Sequence, residues 1–137
     1  YMTANTTLLI TKDPSHPLAH LALRYAHAAL EQIAEDTSDN NPTLNLFFYA
    51  DAAYLANRLR LQSADQQNLT QAWQELAAKH HMTLPVCVST ALSRGISDSD
   101  NSERHQLSGD NLASGFELVG LSELAMMMQN DSRLLFF

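Results

Sequence analysis

Glycine is scarce in this chain, four among 137 residues. That leaves no GxGxxG fingerprint and no Walker loop, the glycine-rich turns through which backbone N–H groups cradle phosphate. Nucleotide binding is therefore not expected. Cysteine is scarcer still, and Cys87 stands alone. One cysteine excludes an internal disulfide and a cysteine-rich metal site, but it suits a single working thiol in a reducing compartment. Six histidines are present, with His16 and His20 four apart and His80 beside His81. No HExxH accompanies them, so no metal centre is expected. No GxSxG elbow marks a serine nucleophile. Basic residues are few, eight Lys plus Arg against fifteen Asp plus Glu, for a net charge of −7. They are also scattered. A nucleic-acid footprint needs a basic face, because phosphate neutralisation supplies much of the affinity. Proteins or small molecules are the expected partners. No apolar run approaches the ~20 residues of a membrane span. No basic-then-apolar leader opens the chain, and nothing points to secretion.

What is present is an ordinary globular balance, 45% apolar and 17% charged, enough for one domain with its own core over residues 2–137. Short β-branched and apolar runs alternate with helical patterns. Thr6–Thr11 reads as a strand, followed by a turn-rich loop, Lys12–Pro17. A long helix then carries the stripe Leu18, Leu21, Ala22, Tyr25, Ala26, Ala29 and Ile33, with Pro17 in its first turn. Leu44–Ala50 is a second strand, after which Asp51 is expected to cap a helix over Ala52–Leu59. A third helix spans Asn68–His80. Phe116–Val119 is a strand, Ser122 is the expected cap of a helix over Glu123–Gln129, and Arg133–Phe137 is a terminal strand. Repeated strand–helix alternation predicts a single α/β domain, with a mainly parallel sheet of about five strands and helices on both faces.

The stretch Leu84–Leu92 organises the rest. It reads as a buried strand running into a turn and a helix from about Ser89 to Arg94, closed by Gly95. In such sheets ligands and reacting groups gather where strands end and helices begin. Cys87 sits there, facing the positive end of a helix dipole, which favours thiolate. The alternative is a small apolar residue filling the core, and free cysteine is among the most buried residue types. The stretch alone leans to that second reading. The loops after the first two strands bring Lys12, His16 and Asp51 to the same rim, where Lys12 or His16 would lower the Cys87 pKa. The polar segment 96–111 reads as a mobile surface segment with a helical turn around Glu103.

Four stretches, in order, resemble the DsrE-like sulfurtransferase family. They are Leu46–Tyr49 with Ala53–Asn57; Ala72–Leu76; Leu84–Gly95; and Asn111–Leu112 with Gly115–Leu118 and Gly120–Leu121. The resemblance implies a DsrE-like fold and a persulfide relay. Cys87 falls where the family's acceptor cysteine sits, to take up a sulfane sulfur and hand it on, in the cytoplasm, with no metal and no cofactor. It implies a hetero-oligomer with other DsrE-like subunits of the TusB and TusC kinds, a TusA-like sulfur donor and a TusE-like acceptor. The end use implied is 2-thiolation of the wobble uridine in tRNA, without direct contact to nucleic acid or membrane. With that resemblance the working cysteine becomes the preferred reading. Ser89 and Thr90 are expected to steady the persulfide anion through their N–H groups. Tyr49, Tyr54 and Arg94 are candidate pocket residues, and segment 96–111 is a candidate flap. Pieces of Leu44–Tyr54, or the run Met126–Met128, are expected to serve a subunit interface. Two rivals remain: a DsrE-type subunit of a sulfur-oxidation pathway, and a non-catalytic scaffold subunit whose Cys87 is core.

Overall fold

β-Branched and aliphatic residues build the centre of the sheet. In the computed structural model, which describes residues 5–39, 41–129 and 132–137, the elements follow in the order β1 (Asn5–Ile10), α1 (Pro17–Glu35), β2 (Thr43–Phe48), a 3-10 helix (Ala50–Ala56), α2 (Leu69–Lys79), β3 (Leu84–Cys87), α3 (Val88–Ser93), α4 (Ser99–Arg104), β4 (Phe116–Val119), α5 (Leu121–Met127) and β5 (Arg133–Phe136). The strands form one sheet in the order β4-β3-β2-β1-β5, and every pairing is parallel. The chain thus lays down four strands in succession, then returns past β1 to add the fifth. All strand carboxyl ends therefore share one rim.

Alternation along the strands sends side chains to two unequal faces. Leu8, Ile10, Leu46, Phe48, Leu84 and Val86 join the main core with α1, α2 and the 3-10 helix. Trp73 of α2 meets Phe48 edge-on at 5.1 Å between ring centres, and Phe116 lies 5.6 Å from Phe48. On the other face Leu9, Phe47 and Cys87 form a smaller cluster, closed by Tyr49, Val119, Leu124 and Met127. There α5 is the cover, and none of its own residues is fully buried. Register places Leu134 and Phe136 of β5 opposite Thr7 and Leu9, hence on this second face, where both are exposed.

The elements were largely expected, with instructive departures. Helix α1 starts at Pro17, with His16 as its cap through Nδ1, which accepts from the Leu18 N–H at 3.1 Å. Its buried stripe is Ala19, Ala22, Leu23, Ala26, Ala29 and Leu30, rotated from the expected one, so that Leu21 is exposed. Asp51 caps nothing. The element after β2 is a 3-10 helix that begins two residues earlier than expected, with Tyr49 at its cap position and no side-chain cap bond. Ala50 enters it at φ 53, a left-handed conformation costing an alanine roughly 1–2 kcal/mol. Ser122 is likewise no cap, since α5 begins at Leu121 behind Gly120. The segment 96–111 is no free surface strand of chain. Ile96, Ser97 and Ser102 are buried. The Ser102 hydroxyl bonds the Ser97 hydroxyl at 2.7 Å and the Gly109 carbonyl at 2.6 Å, and Asn111 reaches Ser97, Gly95 and Asn57. These polar residues satisfy one another, so polarity here marks a hydrogen-bonded knot around α4.

Phe48 joins both aromatic contacts at the middle of the sheet. Phe48→Ala is expected to destabilise the domain by about 3–5 kcal/mol through lost transfer energy and a residual cavity, read as a fall in the urea midpoint at unchanged slope.

Candidate active site at the junction of β3 and α3

No loop separates β3 from α3. Cys87 is the last residue of the strand and the N-cap of the helix, with φ −60 and ψ 121. The N–H groups of the first helical turn have no partner inside the helix, and here they turn towards the sulfur. The Cys87 Sγ lies 3.3 Å from the Ser89 Oγ. The Thr90 hydroxyl donates to the Cys87 carbonyl at 3.1 Å. Burial pushes the Cys87 thiol up, but hydrogen bonds from the hydroxyl and N–H groups of Ser89 and Thr90 outweigh it, and the net effect is a pKa below the ordinary value of 9.0. The Thr90 hydroxyl has one proton and shares it with the carbonyl, so the Ser89 hydroxyl and the two N–H groups are the firmer donors.

The same sulfur is enclosed. Cys87 is 1% exposed and packs among Leu9, Phe47, Tyr49, Val119, Leu124 and Met127. An openly reachable thiol, as a relay cysteine suggests, is not what the single chain presents. Of the candidate pocket residues, Ser89, Thr90 and Tyr49 gather round the sulfur. Arg94 and Tyr54 do not. Arg94 forms an ion pair with Asp51 at 3.0 Å, with its guanidinium carbon 5.9 Å from the centre of the Tyr54 ring. Tyr54 also lines a separate cavity of about 370 Å³ with Asp13, His20 and Arg60. Lys12 and His16 do not act on the thiol, whose ionisation is set by burial, Ser89 and Thr90. Sequence reasoning missed Leu124 and Met127 as neighbours of the cluster that holds Cys87. Leu124 falls on the apolar side expected of the last helix, with Leu121, Ala125 and Met128, but Met127 does not, and which strands that helix packs on is decided by the return of β5 past β1.

The expected interface pieces divide in the same way. Leu44, Leu46, Phe47 and Phe48 are buried within this chain, whereas Met126 and Met128 are exposed, as are Leu121, Leu134 and Phe136. Among the described residues no three His, Cys, Asp or Glu side chains gather where a metal ion could sit, and no helix is long and apolar enough to cross a membrane.

Fold and site together define a parallel α/β domain that keeps one acidified thiol at the carboxyl rim of its sheet. The chain belongs to the DsrE/DsrF-like family, whose model matches residues 4–137. It is 36% identical over 119 residues to the sulfurtransferase TusD homolog of Vibrio parahaemolyticus, covering 87% of this chain and 86% of that one. It is 38% identical over 107 residues to sulfurtransferase TusD of Salmonella arizonae, 78% of each chain. Among solved structures, the ychN protein from E. coli superposes with a TM-score of 0.68 at 21% identity, over 98% of this chain and 100% of that one, a likeness of fold.

Ser89→Ala removes the hydroxyl nearest the sulfur and is expected to raise the Cys87 pKa. Ultraviolet absorbance of the thiolate, titrated with pH and referred to a Cys87→Ser background, measures it.

Proposed function

We propose that this chain is a sulfurtransferase subunit of a sulfur relay that carries sulfane sulfur as a persulfide on Cys87. One observation carries the reading: the lone thiol forms the N-cap of α3, where Ser89 and Thr90 favour its anion. The thiolate attacks the outer sulfur of a donor persulfide, R–S–SH. The new S–S bond forms on Cys87 while the donor's S–S bond breaks. Its electron pair leaves on the donor sulfur as thiolate, R–S⁻, and Cys87 is left as Cys–S–SH. No external oxidant, reductant or metal takes part, since the oxidation state moves with the transferred sulfur. The N–H groups that favour the thiolate also favour the persulfide anion one bond further out.

Supporting the relay are the relatives named sulfurtransferase TusD. On this reading the partners are other DsrE-like subunits of the TusB and TusC kinds, a TusA-like donor and a TusE-like acceptor. The setting is the cytoplasm and the end use is 2-thiolation of the tRNA wobble uridine. The net charge of −7 suits protein partners over direct contact with nucleic acid. Since the sulfur is enclosed, donors reach it when the cover lifts. Leu124 and Met127 pack against the cluster that holds Cys87, on a helix with no buried residue of its own, the kind of element that opens at low free-energy cost.

A second reading has an observation in its favour. At 1% exposure, Cys87 also fits a scaffold subunit that moves no sulfur. The two separate by mass. Incubated with a persulfide donor, the wild-type chain is expected to gain one sulfur atom and the Cys87→Ser variant none; a wild type that gains none favours the scaffold. Met127→Ala should speed labelling of the native thiol by a small alkylating agent several-fold, and an unchanged rate would place the entry route elsewhere.

A further inference from the structure

Helix α3 is too short to hold itself. It has six residues, one of them fully buried, whereas isolated helices are marginal even at about 12–15 residues. Yet its first turn must keep Ser89 and Thr90 aimed at a sulfur. Its last turn is stitched to the chain that follows: the Gly95 N–H donates to the Leu92 carbonyl at 3.1 Å and the Ile96 N–H to the Ala91 carbonyl at 2.9 Å, with Gly95 at φ +78 where a side chain would be strained. A further set of bonds crosses to a different element. Arg94 Nη1 donates to the Thr90 carbonyl at 3.1 Å and to the Ser93 hydroxyl at 3.3 Å. Its Nε and Nη2 donate to Asp51 Oδ1 at 3.1 and 3.0 Å. Asp51 belongs to the 3-10 helix, whose Ala52, Ala53, Leu55 and Ala56 are wholly buried, so the far end of this clamp is anchored in the core. Thr90 stands at the centre of it. Its N–H serves the sulfur, its hydroxyl the Cys87 carbonyl, and its own carbonyl is what Arg94 grips.

We propose that Arg94, through Asp51, is a positioning residue that holds the first turn of α3 against the Cys87 sulfur. It touches neither the sulfur nor a donor; it fixes the groups that do. The inference rests on the reading of Cys87 as the sulfur carrier. The planar fork matters, because one guanidinium bonds the helix and the carboxylate together, and an ammonium has no such fixed geometry. Around the sulfur, Leu9 of β1, Phe47 of β2, Tyr49 just beyond it, Val119 of β4, and Leu124 and Met127 of α5 supply one titratable group, the Tyr49 phenol. Positioning therefore works through alignment of dipoles, without help from a neighbouring cation.

Charge and position make opposite predictions, which gives the test. Asp51→Asn removes a negative charge, and by Coulomb interaction alone that lowers the pKa of a nearby thiol. If Asp51 anchors the clamp, the same change raises it. Arg94→Lys keeps the cation and loses the fork. Thiolate absorbance is titrated in full-length wild type, Arg94→Lys and Asp51→Asn, each against its own Cys87→Ser background. Both variants are expected to raise the Cys87 pKa by about half to one unit, as partial loss of one charge-assisted hydrogen bond would. A Cys87 pKa that falls or stays put in Asp51→Asn, or stays put in Arg94→Lys, overturns the role. Arg94→Ala is a third variant, but the two conservative ones decide the matter if it does not fold. The sulfur-mass measurement is separate. Sulfur loading with an unmoved pKa in the variants rejects the clamp alone, and a moved pKa without loading rejects the carrier reading alone.

Discussion

The strand-to-helix junction at Cys87 and Val88 is the constraint on which the site depends. A parallel strand must be followed by a crossover, and usually a loop intervenes before the helix. Here the helix begins on the next residue, so one side chain is at once the end of a pleated strand and the cap of a helix. The pleat turns the Cys87 side chain to the second face of the sheet, while the helix start brings its unpaired N–H groups over the same atom. Burial and acidification, which normally oppose each other in a thiol, are therefore imposed together.

Their coexistence follows from the unequal covering of the sheet. The first face carries the weight of the core, with Trp73, Phe48 and Leu8 fully enclosed. The second face is closed by one short helix. Cys87 lies on that second face, in the smaller of the two clusters. A sulfur on the first face would be beyond reach without disturbing the main core. On the second it shares a small cluster with Leu9 and Phe47, closed by the partly buried Tyr49, Val119, Leu124 and Met127. On this second face Leu134 and Phe136 are exposed, as are Met126 and Met128 at the end of the chain's last helix.

Much of the fold was legible in the sequence, and the reasons differ by element. Helix α2 was clear because Leu69, Ala72, Trp73, Leu76 and Ala77 recur at helical spacing, and all but Ala72 are buried. The strand at Leu84–Cys87 was clear as a short apolar run before a helical pattern. The stripe of α1 was misplaced because alanines crowd both sides of it, and hydrophobicity alone does not choose between Leu21 and Leu23. Asp51 and Ser122 looked like caps by residue type, but each lies inside its helix, and Asp51 is drawn to Arg94, forty-three positions away in the chain. The segment 96–111 looked loose because its residues are polar; its mutual hydrogen bonds are long-range facts that composition does not carry. For the site, the sequence singled out Cys87, Ser89 and Thr90 through local spacing. The cover from α5 was hidden, because it depends on the last strand crossing back to the far side of β1.

The enclosure of an acidified sulfur also bears on its survival. Thiolates that stand open in the cell climb the oxidation ladder, from sulfenic to sulfinic to sulfonic acid, and the later rungs are not reversed by ordinary thiols. Peroxide is small and indiscriminate, and it needs only a path to the atom. A thiol enclosed among apolar side chains is withheld from such chemistry, so the enclosure that limits access to Cys87 also guards against permanent loss of the one thiol this chain possesses.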